Sequence, residues 1–248
     1  MAAPNPPPDL KPRLKEAYDS ISTAYNEWTQ PHHPLRMNYT TELLKLLRKY
    51  HAKNDESGND TPSLAGMHAL ELGCGSGVPV MEILLAKDMD VIGVDLSGAQ
   101  IALAAHHFPN HIERHQLVLA EKDMMTLTYP PDEFDAVVAL YSICHLPRDE
   151  QRVMLERVEH WLKPGGMFLM NFPVEEMEGE VMEHWLGQEK GWMYWSGWGE
   201  EKTLEIIKEL KFEILLQEVN GDPKADATFL WIIARKTGGL AQLAKFED

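Results

Sequence analysis

The chain is short of cysteine, of positive charge and of long apolar runs. Two cysteines, Cys74 and Cys144, cannot build a disulfide framework, and a reducing compartment suits them best. Against 39 acidic side chains stand 23 lysines and arginines, a formal net charge of −16. That balance argues against nucleic acid, whose phosphates demand a basic face, and against an anionic membrane surface. No stretch approaches the roughly 20 apolar residues that a membrane helix needs. Met1 to Pro8 lacks the basic-then-apolar pattern of a secretion signal, so a cytoplasmic location is expected. His32 and His33 are adjacent but have no Cys, Asp or Glu at ligand spacing, so no metal is expected. They read instead as a solvated turn or part of a substrate entrance.

What is present suffices for one α/β domain, or one domain with a cap: 248 residues, 44% of them hydrophobic. The chain is organised around His68-Ala69-Leu70-Glu71-Leu72-Gly73-Cys74-Gly75-Ser76-Gly77-Val78-Pro79-Val80. A short apolar run enters this stretch, three glycines follow at alternate positions, and an apolar segment from Val80 to Leu85 leaves it. Strand, tight turn and helix are predicted, with Ser76 or Gly77 opening the helix. Glycine allows the turn a positive φ and lets a ligand press against the backbone. The dinucleotide spacing G-x-G-x-x-G is not met, because the third glycine comes one residue early, and no phosphate-binding G-x-x-x-x-G-K-[ST] follows.

The spacing Glu71-x-Gly73-Cys74-Gly75-x-Gly77 resembles the first motif of the class I S-adenosylmethionine (SAM) dependent methyltransferases, and further elements arrive in order. Asp90-Val91-Ile92-Gly93-Val94-Asp95 is a β-branched run ending in an acid about twenty residues beyond the loop, where a carboxylate can accept both hydroxyls of a ribose. Ser97 is a plausible cap for a helix running to about Phe108, ended by Pro109-Asn110. Gln116 to Ala120 reads as a third strand, and Phe134 to Ala139 as a fourth, after the turn Tyr129-Pro130-Pro131-Asp132. A helix from Pro147 to Leu162, with Val153, Leu155, Val158 and Leu162 inward, leads to Lys163-Pro164-Gly165-Gly166 and the strand Met167–Phe172. This is similar to the family's L-K-P-G-G turn and fifth strand. The resemblance implies an α/β fold: a Rossmann-like seven-stranded sheet, mostly parallel with an antiparallel last strand, flanked by helices.

It also implies roles. The cofactor would be SAM, held by Glu71, Gly73, Cys74, Gly75 and Gly77, by Asp95 and Leu96 at its ribose, by Asp123 and Met124 at its adenine, and by Leu140. Leu140, Tyr141, Ser142 and His145 follow the fourth strand, at the cofactor–substrate junction, and His145 is a candidate general base. Cys144 reads as a small buried residue. Tyr18-Asp19-x-Ile21-x-x-x-Tyr25, on a predicted helix from Leu14 to Trp28, is similar to the family's N-terminal helix over the SAM pocket; Tyr25 is assigned to the cofactor and Tyr18 to the substrate.

Residues 173–202 depart from the core pattern and hold four of the seven tryptophans. They form either a satellite core or a substrate cap, with Trp192 and Trp195 as candidate substrate contacts beside Tyr141. An aromatic cap would suit a flat apolar ring or a cationic amine. A helix from Glu200 to Leu210, a sixth strand from Phe212 to Val219, a turn at Asn220-Gly221-Asp222-Pro223 and a last strand from Thr228 to Ala234 complete the fold. The expected organisation is a tail and helical cap over 1–63, the methyltransferase domain over 64–236, and a tail over 237–248, with Pro4, Pro6–Pro8 and the polar stretch 52–63 as flexible segments.

Absences narrow the acceptor. No N-P-P-Y, D-P-P-Y or Pro-Cys follows the fourth strand, and Leu140 to His145 contains no acid for a catalytic metal. A metal-independent transfer to a small-molecule acceptor at O, N, S or C is the leading expectation. A protein methyltransferase, or a non-catalytic SAM-binding regulatory partner, is the alternative. The oligomeric state is not legible.

Overall fold

A computed structural model describes residues 6–54, 63–222 and 227–237. The expected tail 238–248, residues 1–5 and most of the 52–63 stretch lie outside the described residues. Helices α1 (Leu10–Thr29) and α2 (His33–Asn54) precede a sheet domain. That domain runs β1 (His68–Leu72), α3 (Val80–Leu85), β2 (Asp90–Asp95), α4 (Gly98–His107), α5 (Pro109–Glu113), β3 (Leu117–Glu121), β4 (Phe134–Ala139), α6 (Arg148–Trp161) and β5 (Leu162–Pro173). A hairpin of β6 (Glu176–Met182) and β7 (Met193–Trp198) is followed by α7 (Glu200–Glu209), β8 (Phe212–Asp222) and β9 (Ala227–Lys236).

The seven-stranded sheet has the order β3-β2-β1-β4-β5-β9-β8. Strands β1 to β5 pair in parallel, and β9 runs antiparallel to both its neighbours. The order reverses between β1 and β4, so the crevice beyond their carboxyl ends is where ligands bind in such sheets.

Strand alternation divides the core into two layers. Along β4, Val137 and Ala139 face the cluster that holds Met154, Leu155, Val158 and Trp161 of α6 and Ile206 and Ile207 of α7. Ala136 and Val138 face the other way, toward Tyr39, Leu43 and Leu47 of α2 and Met81 and Leu84 of α3. Strand β9 does the same, with Leu230 and Ile232 on one side and Trp231 and Ile233 on the other. The period of two places each residue, and burial on both faces is what a parallel sheet covered by helices requires.

Several boundaries differ from expectation. The helix after the glycine loop begins at Val80, three or four residues later than predicted, because Gly75 and Gly77 both hold positive φ and cannot begin a helix. Helix α4 ends before Pro109 as expected, but Pro109 and Asn110 then open the short α5; proline suits a first helical turn. Val153 is exposed, and Met154 and Trp161 take the buried side of α6. Asn220 to Asp222 continue the β8 ladder with Phe229, Thr228 and Ala227 and are not a turn. The segment after β5 is a separate two-stranded sheet.

One charged pair explains an acid within a central strand. Asp135 is buried, and its Oδ2 accepts from the His68 backbone N–H at 2.8 Å and from Lys163 Nζ at 2.7 Å. The lysine of the Lys163-Pro164-Gly165-Gly166 turn is thus the counter-charge for β4. The extra residues of that turn appear as a register shift between β4 and β5.

Helix α2 is fixed to the sheet by Tyr39, whose ring stacks on Trp231 at 4.1 Å with 13° between planes. Both rings are almost wholly buried. Trp231→Ala is expected to cost about 3–5 kcal/mol of folding stability, from lost burial and the cavity left behind. Chemical denaturation measures it, and a loss below about 1 kcal/mol would remove the stack as the anchor of α2.

Candidate functional site

The carboxyl ends of β1, β2 and β4 deliver Gly73, Asp95 and Leu140 to one cleft, joined by Lys122, Asp123 and Met124 after β3. The cleft is roofed by α1, which contributes Lys11, Leu14, Tyr18 and Tyr25. Gly75, Leu96, Tyr141 and His145 also line it. These residues are scattered over more than a hundred positions of sequence, and the sheet order together with the docking of α1 brings them together.

Two glycines show why the loop is made as it is. Gly73 has φ +71°, and a Cβ there would lie 2.4 Å from Ser142 Cβ, so the β1 and β4 loops touch backbone to side chain. Gly75 has φ +55°, and a Cβ there would meet nothing closer than Gln100 Oε1 at 3.8 Å. The loop is therefore tight on the β4 side and open on the cleft side. Gly77 instead packs toward Phe108 and Met81, and Cys74 is buried with its thiol pushed up by burial first; neither lines the cleft.

Asp95 braces this geometry. Its Oδ2 accepts from Gly75 N–H and its Oδ1 from Ser97 N–H, both at 2.8 Å. Burial raises its pKa, opposed by those two hydrogen bonds. Each oxygen keeps a lone pair for a further donor. Glu71 is also buried, and its Oε2 has no partner. Burial pushes this carboxyl well above the usual range. An orphaned acid behind a glycine loop fits a ligand that brings a cation or N–H donors. Asp123 differs from the simplest expectation: Oδ1 accepts from Met125 N–H at 2.9 Å, and Oδ2 pairs with Lys11 Nζ at 2.9 Å.

Helix α1 is held across the cleft by charge. Lys11 bridges Asp123 and Glu150, and Lys15 bridges Asp19 and Glu121. Asp19 Oδ1 accepts from Ser97 Oγ at 2.7 Å and from Ala99 N–H at 3.1 Å, at the start of α4, where a negative charge meets the helix dipole. Asp19 was present in the Tyr18-Asp19 pair of the sequence but carried no assigned role; only the fold shows what it touches.

Beside the cleft lies a second cavity of about 660 Å³. Tyr18, Tyr25, Tyr141 and His145 border both. Trp28, Trp185, Trp195, Phe229, His32 and Arg36 line the larger one. Trp192, a candidate substrate contact, borders neither. Its ring lies under the Arg13 guanidinium at 4.2 Å, within the cluster of Leu10, Leu14 and Ile21, so it fastens the hairpin to α1. Trp185 takes the place expected of Trp192, within 6.3 Å of Tyr18, Tyr25, Trp28 and Trp195. Arg36, Trp28 and Trp185 were not singled out in the sequence, since on a helix or in a tryptophan-rich run they read as packing. Buried His32 packs on Trp28 at 4.6 Å; among the described residues no cluster of His, Cys, Asp and Glu could hold a metal.

His145 sits where the two cavities meet. Its Nδ1 is 2.7 Å from the Tyr194 carbonyl, which can only accept, so Nδ1 carries the hydrogen. In the neutral ring Nε2 is then an acceptor, and the Tyr18 hydroxyl donates to it at 2.9 Å. Burial lowers the His145 pKa against the opposing Tyr194 bond, and burial raises that of Tyr18, so both are neutral near pH 7. Tyr141 enters the site with φ +55°, a conformation uncommon for a tyrosine, and its N–H donates to Asn171 Oδ1 at 2.7 Å.

Residues 69–166 match the family model described as a methyltransferase domain. The chain is similar to a sterol 24-C-methyltransferase of Aspergillus fumigatus, 36% identical over 103 residues, which is 42% of this chain and 27% of that protein. It is similar to an O-methyltransferase of Aspergillus nomiae, 29% identical over 111 residues, 45% of this chain and 48% of that one. The match to each of these relatives spans less than half of the relative's length. Among solved structures, a Burkholderia thailandensis 1,6-didemethyltoxoflavin-N1-methyltransferase, bound to 1,6-didemethyltoxoflavin and S-adenosylhomocysteine, superimposes with a TM-score of 0.65 at 18% identity, covering 96% of this chain and 94% of that chain. The Synechocystis magnesium protoporphyrin IX methyltransferase with bound SAM gives 0.62 at 15% identity, covering 94% and 100%.

Asp19 carries the test of the roof. Burial opposes its ionisation, but the bonds from Lys15, Ser97 and Ala99 outweigh it and lower its pKa. A lowered carboxylate stabilises docking fully above its unfolded pKa of about 3.9 and loses that contribution as pH falls through the folded value. Asp19→Ala should therefore speed amide hydrogen exchange along α1 at pH 7 by about tenfold. Wild-type and variant should converge in acid. Equal protection at pH 7 would show that α1 is held without Asp19.

Proposed function

We propose that this class I methyltransferase binds SAM in the cleft beneath α1 and transfers its methyl group to a small-molecule acceptor held in the adjoining aromatic cavity, without a metal. The observation that carries the reading is the juxtaposition: a glycine-loop cleft and a roofed, ring-lined cavity share Tyr18, Tyr25, Tyr141 and His145. Bound SAM supplies an electrophilic methyl on a sulfonium, so the protein's task is to position, desolvate and, where needed, deprotonate. Gly73 and Gly75 would lie against the amino-acid and ribose parts, Asp95 would accept from the ribose hydroxyls, and Glu71 would face the ammonium. Leu96, Leu140 and Met124 would pack on the nucleoside. Asp123 would share its Oδ2 between Lys11 and the adenine amino group.

His145 would act through Tyr18. The lone pair of Nε2 is already met by the Tyr18 O–H, and Nδ1–H is tied to the Tyr194 carbonyl. An acceptor X–H would pass its proton to the Tyr18 oxygen while Tyr18 passes its own to Nε2. The hydroxyl is restored and the charge rests on an imidazolium beside a backbone carbonyl. Tyr141, Trp185 and Trp195 would hold the acceptor's body.

The alternatives need a different surface. A protein methyltransferase presents an open groove to a peptide, and a regulatory partner presents an apolar face; the cavity here lies between α1 and the hairpin, which favours a small molecule. The sterol, 27-O-demethylrifamycin SV and magnesium protoporphyrin IX named for the relatives and neighbours agree only in being small molecules. No helix among the described residues is long and apolar enough to cross a membrane. A cytoplasmic location is part of this proposal.

Calorimetric titration with SAM and S-adenosylhomocysteine is the test. Both should bind at micromolar concentration, and no binding of either would end the proposal. Asp95→Ala should weaken both by about 1–3 kcal/mol through unpaired hydroxyls and a loosened loop. Tyr18→Phe and His145→Ala should each slow turnover by about a hundredfold with cofactor affinity little changed. Because burial lowers the His145 pKa, its base form persists below pH 6.5, and kcat should fall only as pH drops through that depressed value. A kcat that already falls above pH 6.5, or an unaltered rate in either variant, would leave the pair a structural role.

A further inference from the structure

Among the described residues that line the larger cavity, one Arg or Lys stands with no carboxylate at ion-pair distance. Arg36, on α2, lines this cavity and not the cleft. Its guanidinium lies over the Tyr141 ring at 4.8 Å, and its Nε is buried with no hydrogen-bond partner. Among the described residues no carboxylate reaches it at ion-pair distance. Glu71 feels its charge, but burial holds that carboxyl toward its neutral form. Glu175 also lines the cavity, yet it is exposed at the hairpin. The other titratable groups here are not carboxylates: Tyr18, Tyr25, Tyr141, His32 and His145 line the cavity, and His33 lies beside it, its own pKa lowered by burial and then by Arg36.

A charged group withdrawn from water is paired, or its burial is uncompensated. Guanidinium does not escape by losing its proton. With its centre over Tyr141, the planar guanidinium can offer an N–H edge to two oxygens side by side, the geometry of a carboxylate.

We propose that the acceptor taken by this cavity carries a planar anionic group, a carboxylate in the first instance, on an apolar or aromatic body, and that Arg36 is its counter-ion. This rests on the methyl-transfer reading above and names its substrate class. It replaces the cationic amine that the aromatic residues alone suggested, since Arg36 would repel one. A carboxylate could also come from the amino-acid end of the cofactor. Arg36 lines the larger cavity and not the cleft that Gly73 and Gly75 line, and the acceptor is the source proposed.

The probes are 4-hydroxybenzoate and 4-hydroxycinnamate, each with its uncharged amide, titrated into protein saturated with S-adenosylhomocysteine. Wild-type protein should bind at least one carboxylate tenfold or more tightly than its amide. Arg36→Gln should abolish that preference while S-adenosylhomocysteine affinity stays within about threefold. Arg36→Lys, which keeps the charge and loses the fork, should keep part of the preference and serves if the glutamine variant does not fold. No preference in wild-type protein, or a preference that survives in Arg36→Gln, overturns the proposal. So does a tenfold loss of S-adenosylhomocysteine binding in Arg36→Gln with 5′-methylthioadenosine binding intact, because the guanidinium then serves the cofactor. If wild-type protein binds no S-adenosylhomocysteine, the methyl-transfer reading fails by itself. The carboxylate–amide comparison, run without it, still decides whether Arg36 is an anion site.

Discussion

The site depends on the docking of α1 across the carboxyl end of the sheet. The sheet alone makes a shallow crevice at the β1–β4 switch. Only when α1 lies over it do Tyr18 and Tyr25 divide that crevice into a cleft and a cavity. The dock has an apolar part, Leu10, Leu14, Ala17 and Ile21 against Trp192, Met193 and Tyr194 of the hairpin. It also has a polar part, Lys11 and Lys15 on the acids after β3, and Asp19 on the start of α4. Exposed ion pairs contribute little each. Asp19 is different, since it meets three protein donors at once, two of them at the start of α4.

This division of labour explains which parts of the molecule were legible in the sequence. The core was, because its signals are local. The glycine spacing needs no partner to be recognised, and an acid at the end of β2 is read from position alone. Strand alternation in Phe134–Ala139 and Leu230–Ala234 is a property of contiguous residues. Boundaries failed where backbone conformation decided: Val80 starts α3 because two left-handed glycines precede it, and Asn220–Asp222 stay extended because Ala227 to Phe229 pair with them. Turn-forming composition there was overruled by the ladder.

The cavity was legible only as a composition. Four tryptophans in one span announced an aromatic element, but a count cannot say which rings face inward. Trp192 and Trp195 are three residues apart and end in different places: one under Arg13 against α1, the other 6.1 Å from the His145 ring. Arg36 and Asp19 carried no signal, because a charged residue on an amphipathic helix reads as its solvated face. What marks them is a contact across the fold: Asp19 with α4, Arg36 with Tyr141.

The tautomer of His145 follows from the same kind of contact and limits what the site can do. A histidine free to rotate can offer either nitrogen. Here the Tyr194 carbonyl lies on a strand held in place by Gln151, whose Nε2 donates to the Leu146 and Ser196 carbonyls and to Ser196 Oγ. That amide ties the loop carrying His145 to the strand carrying Tyr194, so the ring is oriented from both ends. With Nδ1–H committed, basicity is directed wholly to Nε2, and Tyr18 stands between Nε2 and the cavity. In the reaction proposed above, proton transfer to Nε2 would run through Tyr18 and so would need α1 docked. The proposed base would then be coupled to the docking of α1 without any group dedicated to sensing it.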